Sequence, residues 1–315
     1  MPRSTKKIIV ILLSLFISSC SVLNNQGLSN LEQSETPLAP SATATEIPEP
    51  TATLAPTITN TPTITPTVVL DPSPIEIDFS ADDGQKLSGI YYPADSNPAP
   101  LVVLMHWARG DQEEWTEIAL WLQNRSMLVR TPDYNRSWKS SDWYPENTSG
   151  ISIGVFTFTL RECAGVCQNY LPTEWLLDIK AAMTTAAGLT GVDSTRILTA
   201  GASIGADGAV NGCVWLNQSG LGECWGSFVL SPSSLLTVPF EDVVDDLLQS
   251  DPPRLVYCLY GLRDDASVET CRTVPDANLV DYGYIENHGF ELLQPNQNPD
   301  PLILMLEFIN TALPE

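Results

Sequence analysis

Three side chains in this sequence could together move a proton and attack a carbonyl carbon: a serine, a histidine and a carboxylate. The serine is Ser203, in the run Gly201-Ala202-Ser203-Ile204-Gly205. Ile197-Leu198-Thr199-Ala200 ahead of it predicts a strand, and Ile204 to Leu216 behind it predicts a helix. A strand that turns directly into a helix bends its middle residue into a strained backbone, and glycines two positions away on either side remove side chains that would collide. The hydroxyl is then held at a helix N-terminus, where N–H groups and the helix dipole favour developing negative charge. The N–H of Ile204, the residue after the serine, is one expected oxyanion donor.

A serine hydroxyl needs a base, and the base needs an orienting acid. The chain holds two histidines, His106 and His288. His288 follows the last predicted strand, Leu279 to Ile285. The preceding predicted strand, Arg254 to Tyr260, ends in Gly261-Leu262-Arg263-Asp264-Asp265. Ser203 is the candidate nucleophile, His288 the candidate base and Asp264 the candidate acid, with Asp265 as the adjacent alternative. The chemistry would be hydrolysis of an ester or related acyl bond of a small molecule through an acyl-enzyme. A peptide bond is a further possible target. No organic cofactor is expected. No metal is expected either, since two histidines and no repeated Cys-x-x-Cys give no zinc pattern. The alternative is a non-catalytic surface lipoprotein that uses the same scaffold as a binding module.

These residues need elements to hold them. Ile75 to Phe79 and Leu87 to Tyr92 alternate as a hairpin, and Pro100 to Met105 is an apolar run fit for a buried strand. Glu113 to Arg125 has helical periodicity, and Met127 to Arg130 reads as a fourth strand ending at Pro132-Asp133. Helix Glu174–Ala187, the strand and helix around Ser203, strand Trp225–Leu230, helix Val238–Ser250, the two later strands and helix Pro301–Leu313 follow. Alternation of this kind predicts an α/β fold: a mostly parallel central sheet with helices on both faces and an N-terminal antiparallel hairpin at one edge.

Residues 75 to 313 resemble the α/β-hydrolase superfamily, and most closely its dienelactone-hydrolase-like and acyl-esterase members. His106-Trp107 corresponds to their His-Gly segment after the third strand, Asp133 to their Asp after the fourth, and His288-Gly289-Phe290 to their terminal His-Gly-Phe. The resemblance implies a second oxyanion N–H from the loop after the third strand, at Trp107 or Ala108. It leaves His106 a structural or pocket-lining role. Trp107 stands where the family usually has glycine. Ser203 stands where dienelactone hydrolases proper have cysteine, so their substrate does not carry over.

The remaining sequence sets the compartment. Residues 1–19 read as a signal peptide: basic Arg3, Lys6 and Lys7, then apolar Ile8 to Ile17, then small residues. Ile17-Ser18-Ser19-Cys20 resembles a bacterial lipobox, which would make Cys20 the lipidated N-terminus of an exported, extracytoplasmic, membrane-anchored protein. Residues 20–72 are a Thr/Pro-rich stalk that cannot bury a core, and residues 73–315 form the hydrolase domain. An insertion at about 135–172 carries Trp138, Trp143, Tyr144, Phe156 and Phe158. Its aromatics would line the active site or pack a small core of their own. Six further cysteines suggest disulfides, and although 15 pairings exist, the simplest is Cys163–Cys167, Cys213–Cys224 and Cys258–Cys271. The net charge of −23 argues against nucleic acid as a partner and against electrostatic docking on anionic membranes, leaving lipid as the means of attachment.

Overall fold

The computed structural model describes residues 73–125 and 143–314. The expected signal peptide, Cys20, the stalk, the strand at Met127–Arg130, Asp133 and Trp138 lie outside the described residues.

Apolar side chains on both sides of one strand require cover on both faces. Strand β3 (Ala99–Met105) meets that description, being buried at every position. Its alternate residues divide between two cores. Leu101, Val103 and Met105 join one cluster with Ile179, Ile204 and Val244. Val102 and Leu104 join the other with Trp115, Ile118, Phe290 and Phe308. The first face carries α2 (Pro172–Ala187), α3 (Ile204–Ser219) and α4 (Phe240–Leu248). The second carries α1 (Thr116–Leu122), which follows a 3-10 turn at Gln112–Trp115, and the C-terminal α6 (Pro301–Ala312).

Among the described residues the sheet has eight strands in the order β1-β2-β4-β3-β5-β6-β7-β8. β1 (Ile75–Ser80) and β2 (Lys86–Tyr92) are the antiparallel edge, and β2 pairs antiparallel with β4 (Gly154–Phe158). From β4 onward, through β3, β5 (Val192–Ala202), β6 (Cys224–Leu230), β7 (Leu255–Tyr260) and β8 (Asn278–Asp281), every pairing is parallel. The chain reverses its direction of travel across the sheet between β3 and β5, and in open α/β sheets the C-terminal ends of the strands at such a reversal are where a site is expected.

Three features differ from the sequence reading. The strand between β2 and β3 is Gly154–Phe158, a segment read as part of an insertion. Its five residues are all buried, and Phe156 and Phe158 belong to the main core with Tyr91 and Trp175. A β-branched and aromatic run of this length is what a two-sided central strand demands. Helix α5 (Asp265–Arg272) is additional; its mostly polar eight residues carry too little apolar periodicity to be read. β8 ends at Asp281 rather than Ile285, because Gly283 turns the chain at φ +71° and donates its N–H to Asp281 Oδ1.

The cysteines pair as Cys163–Cys167, Cys213–Cys224 and Cys258–Cys271. The second pair ties α3 to β6 and the third ties β7 to α5. Each thereby staples a helix whose N-terminus borders Ser203 or Asp264.

Candidate active site

Ser203 sits where β5 becomes α3, and its backbone has φ 54° and ψ −119°. Positive φ is costly for a residue with a Cβ, so the surroundings must impose it. They do so on two sides. The Ser203 N–H donates to Leu230 C=O at the end of β6 (2.8 Å), and its C=O accepts from the N–H of Ala206 (2.8 Å). The flanking glycines leave no alternative: a Cβ on Gly201 would lie 1.9 Å from Gly205 O, and one on Gly205 would lie 2.3 Å from Met105 O. The tight turn therefore also presses the start of α3 against the end of β3.

Asp264 and His288 arrive on two loops sewn together by backbone hydrogen bonds. Leu262 N–H donates to Gly283 C=O (2.7 Å) and Arg263 N–H to Ile285 C=O (3.1 Å). The His288 main chain is held from below: its N–H donates to Glu291 Oε2 (3.2 Å), and Glu291 N–H returns to His288 C=O (3.1 Å). The result is a continuous chain of side chains. His288 Nε2 lies 2.8 Å from Ser203 Oγ, and His288 Nδ1 lies 2.7 Å from Asp264 Oδ2. Ser267 Oγ donates to the same carboxylate oxygen at 2.6 Å. Burial pushes the Asp264 carboxyl up, but the hydrogen bonds from His288 and Ser267 outweigh it and hold the group below its ordinary value. Asp265, the neighbouring candidate, is exposed as the first residue of α5. Ser203 is only 6 % exposed, whereas the His288 side chain is 34 % exposed, so the serine is sheltered and the imidazole keeps one side towards solvent.

The loop after β3 lies alongside. Ile204 opens α3, and the N–H of a first helical residue has no intrahelical acceptor. Trp107 and Ala108 are fixed through their carbonyls: Trp107 C=O accepts from His106 Nδ1 (2.7 Å) and Gly110 N–H (3.2 Å), and Ala108 C=O accepts from Cys167 N–H (2.8 Å). The Cys163–Cys167 loop thus buttresses this segment. The Trp107 ring packs on Phe290 with centroids 5.9 Å apart.

His106 does not line an open pocket. It is 1 % exposed, and its Nε2 accepts the Leu160 N–H at 3.0 Å. With that nitrogen accepting, Nδ1 carries the proton and donates to Trp107 C=O. Burial pushes its pKa down, which keeps the ring neutral. Its work is to tie the end of β3 to the chain leaving β4. Tyr144 packs on Trp121 of α1, with centroids 5.8 Å apart. Trp143, its neighbour in sequence, is half-buried.

One functional-site neighbour was not legible in the sequence. Asp207, on the first turn of α3, is 1 % exposed. Its carboxylate accepts from the N–H groups of Ser233 (3.3 Å), Ser234 (3.2 Å) and Leu235 (2.5 Å), anchoring the loop after β6. Burial pushes its carboxyl up to about 7, against the opposing pull of those donors and of His288. The available signal was an acidic residue in Ile204-Gly205-Ala206-Asp207-Gly208-Ala209, a stretch otherwise free of charge.

No protein-family model matches the sequence, and no curated protein matches it. Solved structures do. A bacterial heroin esterase superposes with a TM-score of 0.52 at 13% identity, over 77% of this chain and 85% of that one. An esterase from Pyrococcus furiosus gives 0.53 at 14% identity, over 77% and 92%. The esterase Est22 gives 0.51 at 14% identity, over 76% and 80%. At such identities the likeness concerns the backbone, and with the strand order and the turn at Ser203 it establishes that this chain has the α/β-hydrolase fold.

Proposed function

We propose that the protein is a serine hydrolase acting on an ester or related acyl bond of a small molecule, with Ser203 as nucleophile, His288 as base and Asp264 as acid. The observation that carries this reading is the position of His288, within hydrogen-bond distance of both Ser203 Oγ (2.8 Å) and Asp264 Oδ2 (2.7 Å). The esterases among the structural neighbours agree with it.

In this mechanism His288 Nε2 takes the Ser203 proton as Oγ attacks the carbonyl carbon. Asp264 accepts from Nδ1–H, which holds the productive tautomer and stabilises the imidazolium. The negative charge moving onto the carbonyl oxygen is met by the Ile204 N–H and by one from Trp107 or Ala108; a single such donor is worth about 10²–10³-fold in rate. The imidazolium then protonates the leaving oxygen, and an acyl-Ser203 ester remains. Water, deprotonated by His288, attacks that ester and releases the acid and the free serine. The same general base therefore serves both halves of the reaction, with a contribution of about 10²–10⁴-fold.

The protein acts outside the cytoplasm in this proposal, exported by residues 1–19 and held to a membrane by lipid on Cys20. Mass spectrometry of the mature N-terminus tests that part: an unmodified or absent Cys20 refutes it. For the chemistry, a fluorophosphonate probe is applied to the protein and to Ser203→Ala. Labelling that depends on Ser203 is expected. Folded protein that does not label would instead favour a binding module on the same scaffold.

A further inference from the structure

The chain has 15 Lys and Arg against 38 Asp and Glu, yet one of its arginines is buried with no acidic partner among the described residues. Arg254, just ahead of β7, is 8 % exposed. Its Nε and Nη1 are both buried and meet no acceptor among the described residues. The contrast within the molecule is Arg161, whose guanidinium is held by both Asp83 and Asp178. A buried, unpaired cation is unfavourable unless something of opposite charge completes it.

The arginine is also held ready. Its guanidinium carbon stacks 4.1 Å from the centroid of the Trp225 indole. Trp225 is itself fixed, since its Nε1–H donates to Thr195 C=O (2.8 Å). The Arg254 N–H donates to Leu247 C=O (2.9 Å). Stacking takes up the face of a guanidinium and leaves its in-plane N–H edges for a planar oxyanion.

Arg254 and Trp225 line a cavity of about 460 Å³, within the usual range for small-molecule sites. Leu248, Leu255 and Leu313 supply apolar wall, and Asp276 lines the cavity without pairing with Arg254. Trp225 and Arg254 lie at the N-terminal ends of β6 and β7, whereas Ser203 follows the C-terminal end of β5. A seven-residue strand such as β6 spans about 20 Å, so this cavity is separate from the serine site.

We propose that this cavity binds a small organic carboxylate with an apolar tail, its headgroup on Arg254 and its tail along the leucines. A single guanidinium beside an aspartate suits one negative charge rather than a phosphate dianion, and the apolar wall suits a hydrocarbon chain.

The test titrates butyrate, hexanoate and octanoate into the full-length protein by calorimetry, with octanamide as the uncharged control. Parallel titrations use Arg254→Met, Arg254→Lys and His288→Ala. The expected result is one site whose affinity rises about twofold or more per added methylene and weakens about tenfold or more in Arg254→Met. Arg254→Lys keeps the charge but not the fork, and is expected between the two. Binding should persist in His288→Ala and be lost for octanamide. Octanoate that binds Arg254→Met and wild type alike, or binding abolished by His288→Ala alone, overturns the proposal. So does absence of binding to wild type at millimolar concentration. Arg254→Met that retains its circular dichroism and its fluorophosphonate labelling keeps the comparison valid.

Discussion

Trp107 and Gly289 occupy each other's space: a Cβ on Gly289 would lie 3.0 Å from Trp107 Cε3, 3.5 Å from the Ala202 Cβ and 3.8 Å from the Ser203 Cβ. Gly289 has φ +57° as well, a conformation glycine adopts at little cost. The bulky residue after His106 is therefore accommodated by a glycine directly after His288, and the indole borders the serine–histidine pair. Gly289→Ala should destabilise the fold by about 1–2 kcal/mol through backbone strain and crowding. Adding Trp107→Ala should relieve the crowding but not the strain. Urea denaturation of the two single variants and the double variant measures the coupling; strictly additive losses would show that the two residues do not press on each other.

Trp107→Ala alone should open the volume beside His288. For p-nitrophenyl esters, the ratio of kcat/KM for octanoate to that for acetate is expected to rise by about tenfold, a change within what a few buried methylenes supply. An unchanged ratio would remove Trp107 from any part in selecting the substrate.

Asp264 and Asp265 can be separated by activity. Asp264 accepts from His288 Nδ1, and Asp265 is exposed. Asp264→Asn should lower kcat by about 10⁴-fold, the scale of losing the orienting carboxylate, while Asp265→Asn should stay within about threefold. Ester hydrolysis lost only in Asp265→Asn would reverse the assignment. Because the Asp264 carboxyl is held below its ordinary value of 3.8, its stabilising contribution is present above that pH. It is lost as pH falls through the folded-state value.

Asp207 works in the opposite direction. Its carboxyl is raised from 3.8 to about 7, so between those values the folded protein keeps a proton that the unfolded chain has released. Its contribution is full below about pH 4 and falls as pH rises towards 7, by an amount on the order of 4 kcal/mol over the whole window at about 1.4 kcal/mol per pH unit. Wild type should therefore lose stability relative to Asp207→Asn between pH 4 and pH 7, as read from urea midpoints. A difference that stays flat across that range would show that Asp207 does not titrate there.

The Cys258–Cys271 pair joins β7 to α5, with a sequence separation of 13. Replacing both cysteines by alanine should cost about 3 kcal/mol of stability. Because α5 begins immediately after Asp264, ester turnover and the rate of Ser203 labelling by fluorophosphonate should fall together. Equal chemical stability with and without reductant would argue against a structural role for this pair.

How far the sequence reached depended on how local the cause was. Gly201, Ser203 and Gly205 are legible because a strand-to-helix turn needs those residue types within five positions. The alternation of strands and helices is legible because burial on two faces imposes continuous apolar runs. Gly154–Phe158 reads in the sequence as part of an insertion because its strand character depends on distant partners, 53 residues back in β3 and 63 to 69 residues back in β2. Tertiary structure alone decided which of two adjacent carboxylates meets His288, since the first turn of α5 directs Asp264 inward and leaves Asp265 exposed. It also decided that His106 spends both ring nitrogens on backbone groups, and that Asp207 holds the loop after β6. The reason is physical: residue types specify what a side chain can donate, accept or bury, but only the packed arrangement specifies which partner it finds.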